Sequence, residues 1–159
     1  MKKLFSVLAV LFVLGTTSVF AKTGLGLQGS LSAGGSTAKG AGVTFKLSNV
    51  PCVFAVAAPN FVDPLIVGVS ADWWIANPVI EQTWHYYYGV GLAGAVTLVE
   101  DGSSISIGGR ALVGTNVFLV NNFLEFYLQG AWQPMFTISN GAQPNIVNFP
   151  FDLGFRFWF

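Results

Sequence analysis

Charge is what this chain has least of. Asp, Glu, Lys and Arg make up 9% of 159 residues, against about 25% in an ordinary soluble domain. Cysteine is nearly absent too: Cys52 stands alone, so an internal disulfide is excluded and the lone thiol places no constraint on the fold. His85 is the one histidine, and with so few ligand-type side chains no metal-ligand spacing is present. A Ser/His/acid triad would have to use His85, and no serine stands in a G-x-S-x-G elbow. Gly24 to Gly29 spells G-x-G-x-x-G, but it lies inside a strand pattern with no helix after it, so it carries no nucleotide. No cofactor is implied.

Long apolar runs are also missing after residue 21. Gly, Ser, Asn or a charge interrupts the apolar stretches every few residues, which excludes a membrane-spanning helix of roughly 20 residues. The first 21 residues differ. Lys2 and Lys3 precede a largely apolar stretch from Leu4 to Leu14, and Val19 and Ala21 sit at the −3 and −1 positions. That is the layout of a cleaved secretory signal peptide, with residues 22–159 as the mature domain. The mature part keeps five basic residues against seven acidic ones, a net of −2 with no basic patch, so nucleic acid is not a partner. A chain too apolar for water and without spanning helices has one other common home, a closed barrel in lipid.

Turn signals cut the mature chain into strands at about 23–33, 40–48, 51–58, 64–75, 83–99, 103–119, 123–138 and 146–159. Asn49-Val50, Asn77-Pro78 and Asn121-Asn122 read as short turns at one end, with Asn121-Asn122 as a two-residue hairpin. Longer connections begin near Gly34, Pro59, Glu100 and Ser139 at the other end. Eight antiparallel strands with both termini on one side make an all-β, closed, up-and-down transmembrane β-barrel.

Alternation supports this reading. Leu65, Val67, Val69, Ala71 and Trp73 alternate with Gly68, Ser70 and Asp72. Leu124, Phe126, Leu128 and Trp132 alternate with Glu125, Tyr127, Gln129 and Gln133. Only 52–58 is apolar on both faces and fixes no register. A soluble lipocalin-like barrel alternates equally, but its outer face would carry about 25–35% charged residues. Here the polar face is mostly Gly, Ser, Ala and Thr, which suits a cramped interior. The apolar face therefore points to lipid. Trp73, Trp84, Tyr86 and Phe123, with Phe157 and Phe159, fall near one rim. Trp132 and Phe136, with Phe61, Phe149 and Phe151, fall near the other, as two aromatic belts.

Side chains just fill an eight-stranded barrel, so its inward charges should pair. The expected interior network is Lys46, Asp72, His85, Arg110, Glu125, Gln133, Asp152 and Arg156. Asp72 is placed beside His85 or Tyr87, Glu125 within diagonal reach of Arg156, and Gln133 between Arg110 and Asp152.

The last strand ends Leu153-Gly154-Phe155-Arg156-Phe157-Trp158-Phe159. Leu153, Phe155, Phe157 and Phe159 resemble, position by position, the closing strand of bacterial outer-membrane proteins. The whole mature chain resembles the small eight-stranded outer-membrane barrels, the group of OmpA's transmembrane domain and OmpX. The resemblance implies that the barrel-assembly machinery recognises these four residues, and that outer-membrane lipid surrounds the protein. The functional expectation is a structural or surface-interaction role without catalysis, its extracellular partner unnamed. The rivals are a narrow, porin-like channel for very small solutes between Lys46, Arg110 and Gln133, and a lipid-modifying hydrolase built on His85.

Overall fold

A computed structural model describes residues 22–34, 38–60, 64–99, 102–138 and 142–159. The leader, Phe61 and parts of the longer connections lie outside the described residues. Regular structure among the described residues is β throughout: β1 (Thr23–Ala33), β2 (Ala38–Leu47), β3 (Cys52–Asn60), β4 (Leu65–Ala76), β5 (Val79–Glu81), β6 (Trp84–Val99), β7 (Gly102–Leu119), β8 (Leu124–Trp132), β9 (Met135–Ile138), β10 (Ala142–Asn145) and β11 (Phe149–Trp158).

Ten of these pieces make eight staves of a closed antiparallel barrel, and β5 is a flap on β6. Sequential neighbours pair from β1 to β4, β4 pairs with β6, and β6 with β7. β7 then pairs with β8, β8 with β11, and β11 closes onto β1. β8 and β9 are one stave, because both follow a single register on β7, from Leu119↔Leu124 through Ala111↔Trp132 to Gly108↔Met135. Pro134 interrupts it, having no N–H to give the ladder. β10 and β11 form the last stave. Asn145 pairs with Met135 and the Gln133 N–H donates to Asn148 O at 2.9 Å, so Ile146 and Val147 together oppose Pro134. That is a β-bulge, and the strand expected over 146–159 is corrected: it begins at Phe149, and the stave continues beyond the bulge as β10 over Ala142–Asn145.

Two turns also depart from expectation. The Asn121-Asn122 connection spans four residues, 120–123, with Phe123 N donating to Val120 O at 3.1 Å. Val120, Asn121 and Asn122 all have positive φ, at 51°, 54° and 66°. The asparagines tolerate this conformation and a β-branched valine does not, so Val120 is strained. The Asn77-Pro78 turn is replaced by a flap. β5 folds back on the start of β6, pairing Val79 with His85, and the chain reverses at Gln82 with φ 46°.

The faces sort as the alternation requires. Leu27, Leu128 and Leu153 are 54%, 51% and 62% exposed, whereas their inward neighbours Gln28, Gln129 and Asp152 are 8%, 6% and 3% exposed. Stretch 52–58 takes its register from β2, with Val53 opposite Lys46 and buried, and Phe54 and Val56 facing out. Partner to partner, Gly24 leads to Lys46, Val53, Asp72, Gly91 and Arg110. Continued through Gln133 and Asn148, this row rejoins β1 about ten residues beyond its start, the stagger that tilts barrel strands by about 35–45°. It carries Lys46, Asp72, Arg110 and Gln133 on one inward-facing circuit.

Glycine makes room where the lumen is most crowded. A Cβ at Gly154 would lie 2.5 Å from the Tyr127 hydroxyl, and one at Gly114 would lie 2.5 Å from the Tyr87 hydroxyl. Each tyrosine lies over the glycine directly opposite it in the ladder, an arrangement that packs a ring against bare backbone.

Candidate functional site

The lumen carries the chemistry of this molecule, in two tiers. The lower tier, toward the end holding both termini, centres on Glu125. Its register partner across the β8–β11 ladder is Arg156, and Arg156 Nη1 lies 3.0 Å from Glu125 Oε2. The pair is directly opposite rather than diagonal. Asn116 Nδ2 donates to Glu125 Oε1 at 2.8 Å and Trp158 Nε1 to Oε2 at 2.9 Å. Arg156 Nε donates to Thr44 Oγ1 at 3.2 Å, and its guanidinium lies 4.0 Å from the Tyr127 ring centre. Arg156, Glu125 and Thr44 are all 0% exposed. Such a carboxylate is viable only because two donors and a cation replace its water.

Lys46 closes this tier from the other wall. Its ammonium sits 3.5 Å from the centre of the Trp74 ring, and Trp74 in turn stacks on Tyr87 with centroids 3.8 Å apart. A cation over an indole face is held electrostatically without needing a carboxylate of its own.

The upper tier centres on Arg110. Nε lies 3.0 Å from Asp72 Oδ1, Nη2 lies 3.4 Å from Asp152 Oδ2, and Nη1 donates to Gln133 Oε1 at 2.7 Å. Arg110 and Asp152 stand two staves apart, and the arginine spans the gap itself. Gln133 holds the arginine but does not reach Asp152. That link is made by Gln129, whose Nε2 donates to Asp152 Oδ2 at 2.8 Å while its Oε1 accepts from Tyr87 at 3.1 Å. Ser30 Oγ donates to Asp152 Oδ1, and Tyr127 donates to Gln28 Oε1 at 2.9 Å, tying β1 to the network.

His85 is the exception among the expected residues. Asp72 pairs with Gly91, not with His85 or Tyr87. The β5 flap consumes the residues that a tight Asn77-Pro78 turn would have left in the ladder, and so moves the register. His85 sits half-buried at the terminal rim, edge-on to Phe118 with centroids 5.4 Å apart, its Nδ1 3.2 Å from Thr83 O. Among the described residues no hydrogen bond or ion pair joins it to an acid or a serine.

Lys46, Arg110 and Arg156 thus face Asp72, Glu125 and Asp152, three charges of each sign inside the wall. Several members of the network were not singled out from the sequence: Gln28, Thr44, Trp74, Asn116, Tyr127, Gln129 and Trp158. Tyr127 and Gln129 share Glu125's face by alternation, as Trp158 shares that of Arg156, and this period-two signal was enough to find them. The aromatics Trp73, Trp84, Tyr86, Phe123, Trp132 and Phe136 all point outward and are between 43% and 54% exposed. Leu153 and Phe157 lie on the same outer face, Phe155 is half-buried against Phe126 and Phe157, and Phe159 stacks edge-on against Phe123. No group of three or more His, Cys, Asp or Glu capable of holding a metal occurs among the described residues.

No family model matches the chain. No curated protein matches it either. Among solved structures, Neisserial surface protein A is similar over 87% of this chain and 97% of its own, at 18% identity and a TM-score of 0.53. The N-terminal β-barrel domain of Pseudomonas aeruginosa OprF is similar over 87% and 99%, at 14% identity and a TM-score of 0.49. The first likeness bears on fold alone, and the fold that it shares is the small eight-stranded barrel.

Proposed function

We propose that this protein is an integral barrel of the bacterial outer membrane with a structural or surface-interaction role, a sealed lumen and no catalysis. The observation that carries this reading is the inversion of an ordinary soluble protein. Outward leucines, valines and phenylalanines are exposed all round the wall, while Arg110, Arg156, Asp72, Glu125 and Asp152 are paired inside it and Lys46 lies buried over Trp74. Water would not tolerate that outer surface, and lipid requires it. The likeness in fold to Neisserial surface protein A, a surface protein by its name, agrees with it. A leader over 1–21, cleaved after Ala21, would deliver the chain to the periplasm, and outer-membrane lipid would be its solvent.

Leu153, Phe155, Phe157 and Phe159 are proposed as the signal read by the assembly machinery. Phe159 has a second task, because its N–H donates to Thr23 O at 2.9 Å and its C=O accepts from Thr23 at 3.0 Å. These two bonds are the last rung of the barrel seam. Phe159→Ala keeps the rung and removes the ring, so it separates recognition from closure. The full chain should fractionate with the outer membrane and shift on gels when heated. Phe159→Ala should fold normally into micelles from the denatured state, yet accumulate unfolded in the periplasm of cells. Unimpaired assembly of Phe159→Ala in cells would refute the recognition role, and recovery of the full chain in the soluble fraction would refute the membrane reading.

A further inference from the structure

The outer wall is not uniformly convex. A groove of about 620 Å³ runs across β4, β6, β7 and β9 on the lipid-facing side, with Ala71 and Gly94 on its floor. Phe54 closes one end, Phe136 the other, and Leu92 and Ile107 stand along its sides. The ladder dictates this shape: Val69, Gly94, Ile107 and Phe136 are successive cross-strand partners in one row, and Phe54, Ala71 and Leu92 in the row below. Small residues in mid-row between aromatic and branched ones leave a trough along the row. It lies nearer the loop end than the terminal end, since Gly94 and Ile107 are each five residues from the loop-side ends of their strands, Val99 and Gly102.

We propose that this groove holds one acyl chain of an outer-leaflet lipid, making it a lipid-binding site distinct from the general lipid belt. The groove is continuous with the hydrocarbon-facing surface, so the medium in contact with it is acyl chain. Among the described residues no charged side chain lines it, so it takes the chain of the lipid and does not select its headgroup. Within a bilayer no hydrophobic force distinguishes one apolar surface from another, and shape is what remains. A flexible chain follows a trough and gains close contact along its length, whereas a second convex barrel would bridge over it. This inference rests on the outer-membrane reading for the choice of leaflet, and the vesicle experiment below stands without it.

The test uses the full mature barrel in phosphatidylcholine vesicles that contain a phosphatidylcholine with a photoactivatable diazirine on its acyl chain. After illumination, labelled peptides are mapped by mass spectrometry. Peptides containing 69–71, 92–94 and 107–108 should be labelled about threefold more than those containing 25–31 and 153–157, the preference of a well-packed chain over loose boundary lipid. Gly94→Phe fills the floor. The nearest atoms to a Cβ there are Val69 Cγ2 at 3.7 Å and Ser106 O at 3.8 Å, so the ring enters without displacing backbone. It should bring groove labelling down to the level of the opposite wall while heat-modifiability is retained, and Ala71→Phe should do the same. Even labelling round the wall, labelling unchanged in both variants, or protein–protein crosslinks through this face that show a second copy in the groove would each overturn the proposal. Absence of the protein from the outer membrane of cells, with the vesicle contrast intact, would instead overturn the localisation and leave the groove standing.

Discussion

Glu125 anchors the lower tier of the lumen, pairing with Arg156 while accepting from Asn116 and Trp158. Its charge was legible in the sequence because an acid alternating with Leu124, Phe126 and Leu128 has only one dry place to go, the inside. Its partners were legible only as types, since which of them meet depends on register. Breaking a buried pair by removing one member costs about 3–5 kcal/mol, because the other charge is left uncompensated. Glu125→Ala should therefore lower the urea midpoint in micelles strongly, and Glu125→Ala combined with Arg156→Met should recover part of that loss. Strict additivity of the two changes would mean that the ions do not interact. On the outer face the expected scale is set by depth in the bilayer. Leu128→Arg, within the span, should cost about 2–4 kcal/mol, whereas Val120→Arg in the 68% exposed turn should cost about 0–1 kcal/mol. Equal costs in vesicles would show that lipid does not contact Leu128.

At the scale of elements, prolines explain both where the sequence reading succeeded and where it stopped. The segment 123–138 read as one strand, and by register it is one, although Pro134 divides it into β8 and β9. The bulge at Ile146-Val147 left no mark, because two apolar residues without glycine look like any other strand. Pro150, three residues beyond that bulge on the same stave, lies beside the break that Pro134 makes on the neighbouring one. Asn148 and Trp158, of the same parity, both bond to the β8 side, through Asn148 O and Trp158 N. Pro150 therefore turns its missing N–H toward Ala131 O. Two adjacent ladders thus lose a rung at one height, and side chains patch the gap: Asn148 Nδ2 donates to Gln133 O at 3.1 Å and Trp132 Nε1 to Ile146 O at 2.8 Å. Local opening is easiest where backbone bonds are fewest, so amides at 131–135 and 146–149 should exchange faster than those at 124–130 and 152–158. Pro150→Ala should slow exchange there while barely moving the unfolding midpoint. The hydrogen bond gained is worth about 0.5–1.5 kcal/mol, and the looser unfolded chain takes back about 0.4–1 kcal/mol. Uniform protection along both staves would rule out the weak seam.

For the whole molecule, strand number and the sorting of faces came from composition and period, whereas the stagger of about ten residues per circuit did not. That stagger decides which inward residues share a level, and the β5 flap adjusts it by an amount that no local signal announces. This is why His85 was expected beside Asp72 and lies at the rim instead. The consequence for transport is specific. Any solute must pass the lower tier, where Glu125, Arg156, Tyr87 and Thr44 are closed to solvent and Lys46 lies against Trp74. Opening it means separating Arg156 from Glu125 while both remain in the wall, and the cost of that separation leaves the open state rarely populated. In planar bilayers the intact protein should show no steady ohmic conductance. A double change that removes the bulk as well as the charges, Arg156→Ala with Glu125→Ala, takes away the plug without leaving an unpaired ion. If the lower tier is the seal, that variant should conduct in bursts while the Asp152→Ala variant, altered only in the upper tier, stays closed. Steady current through the unaltered barrel, or conductance appearing in Asp152→Ala but not in the double variant, would show that the seal lies elsewhere.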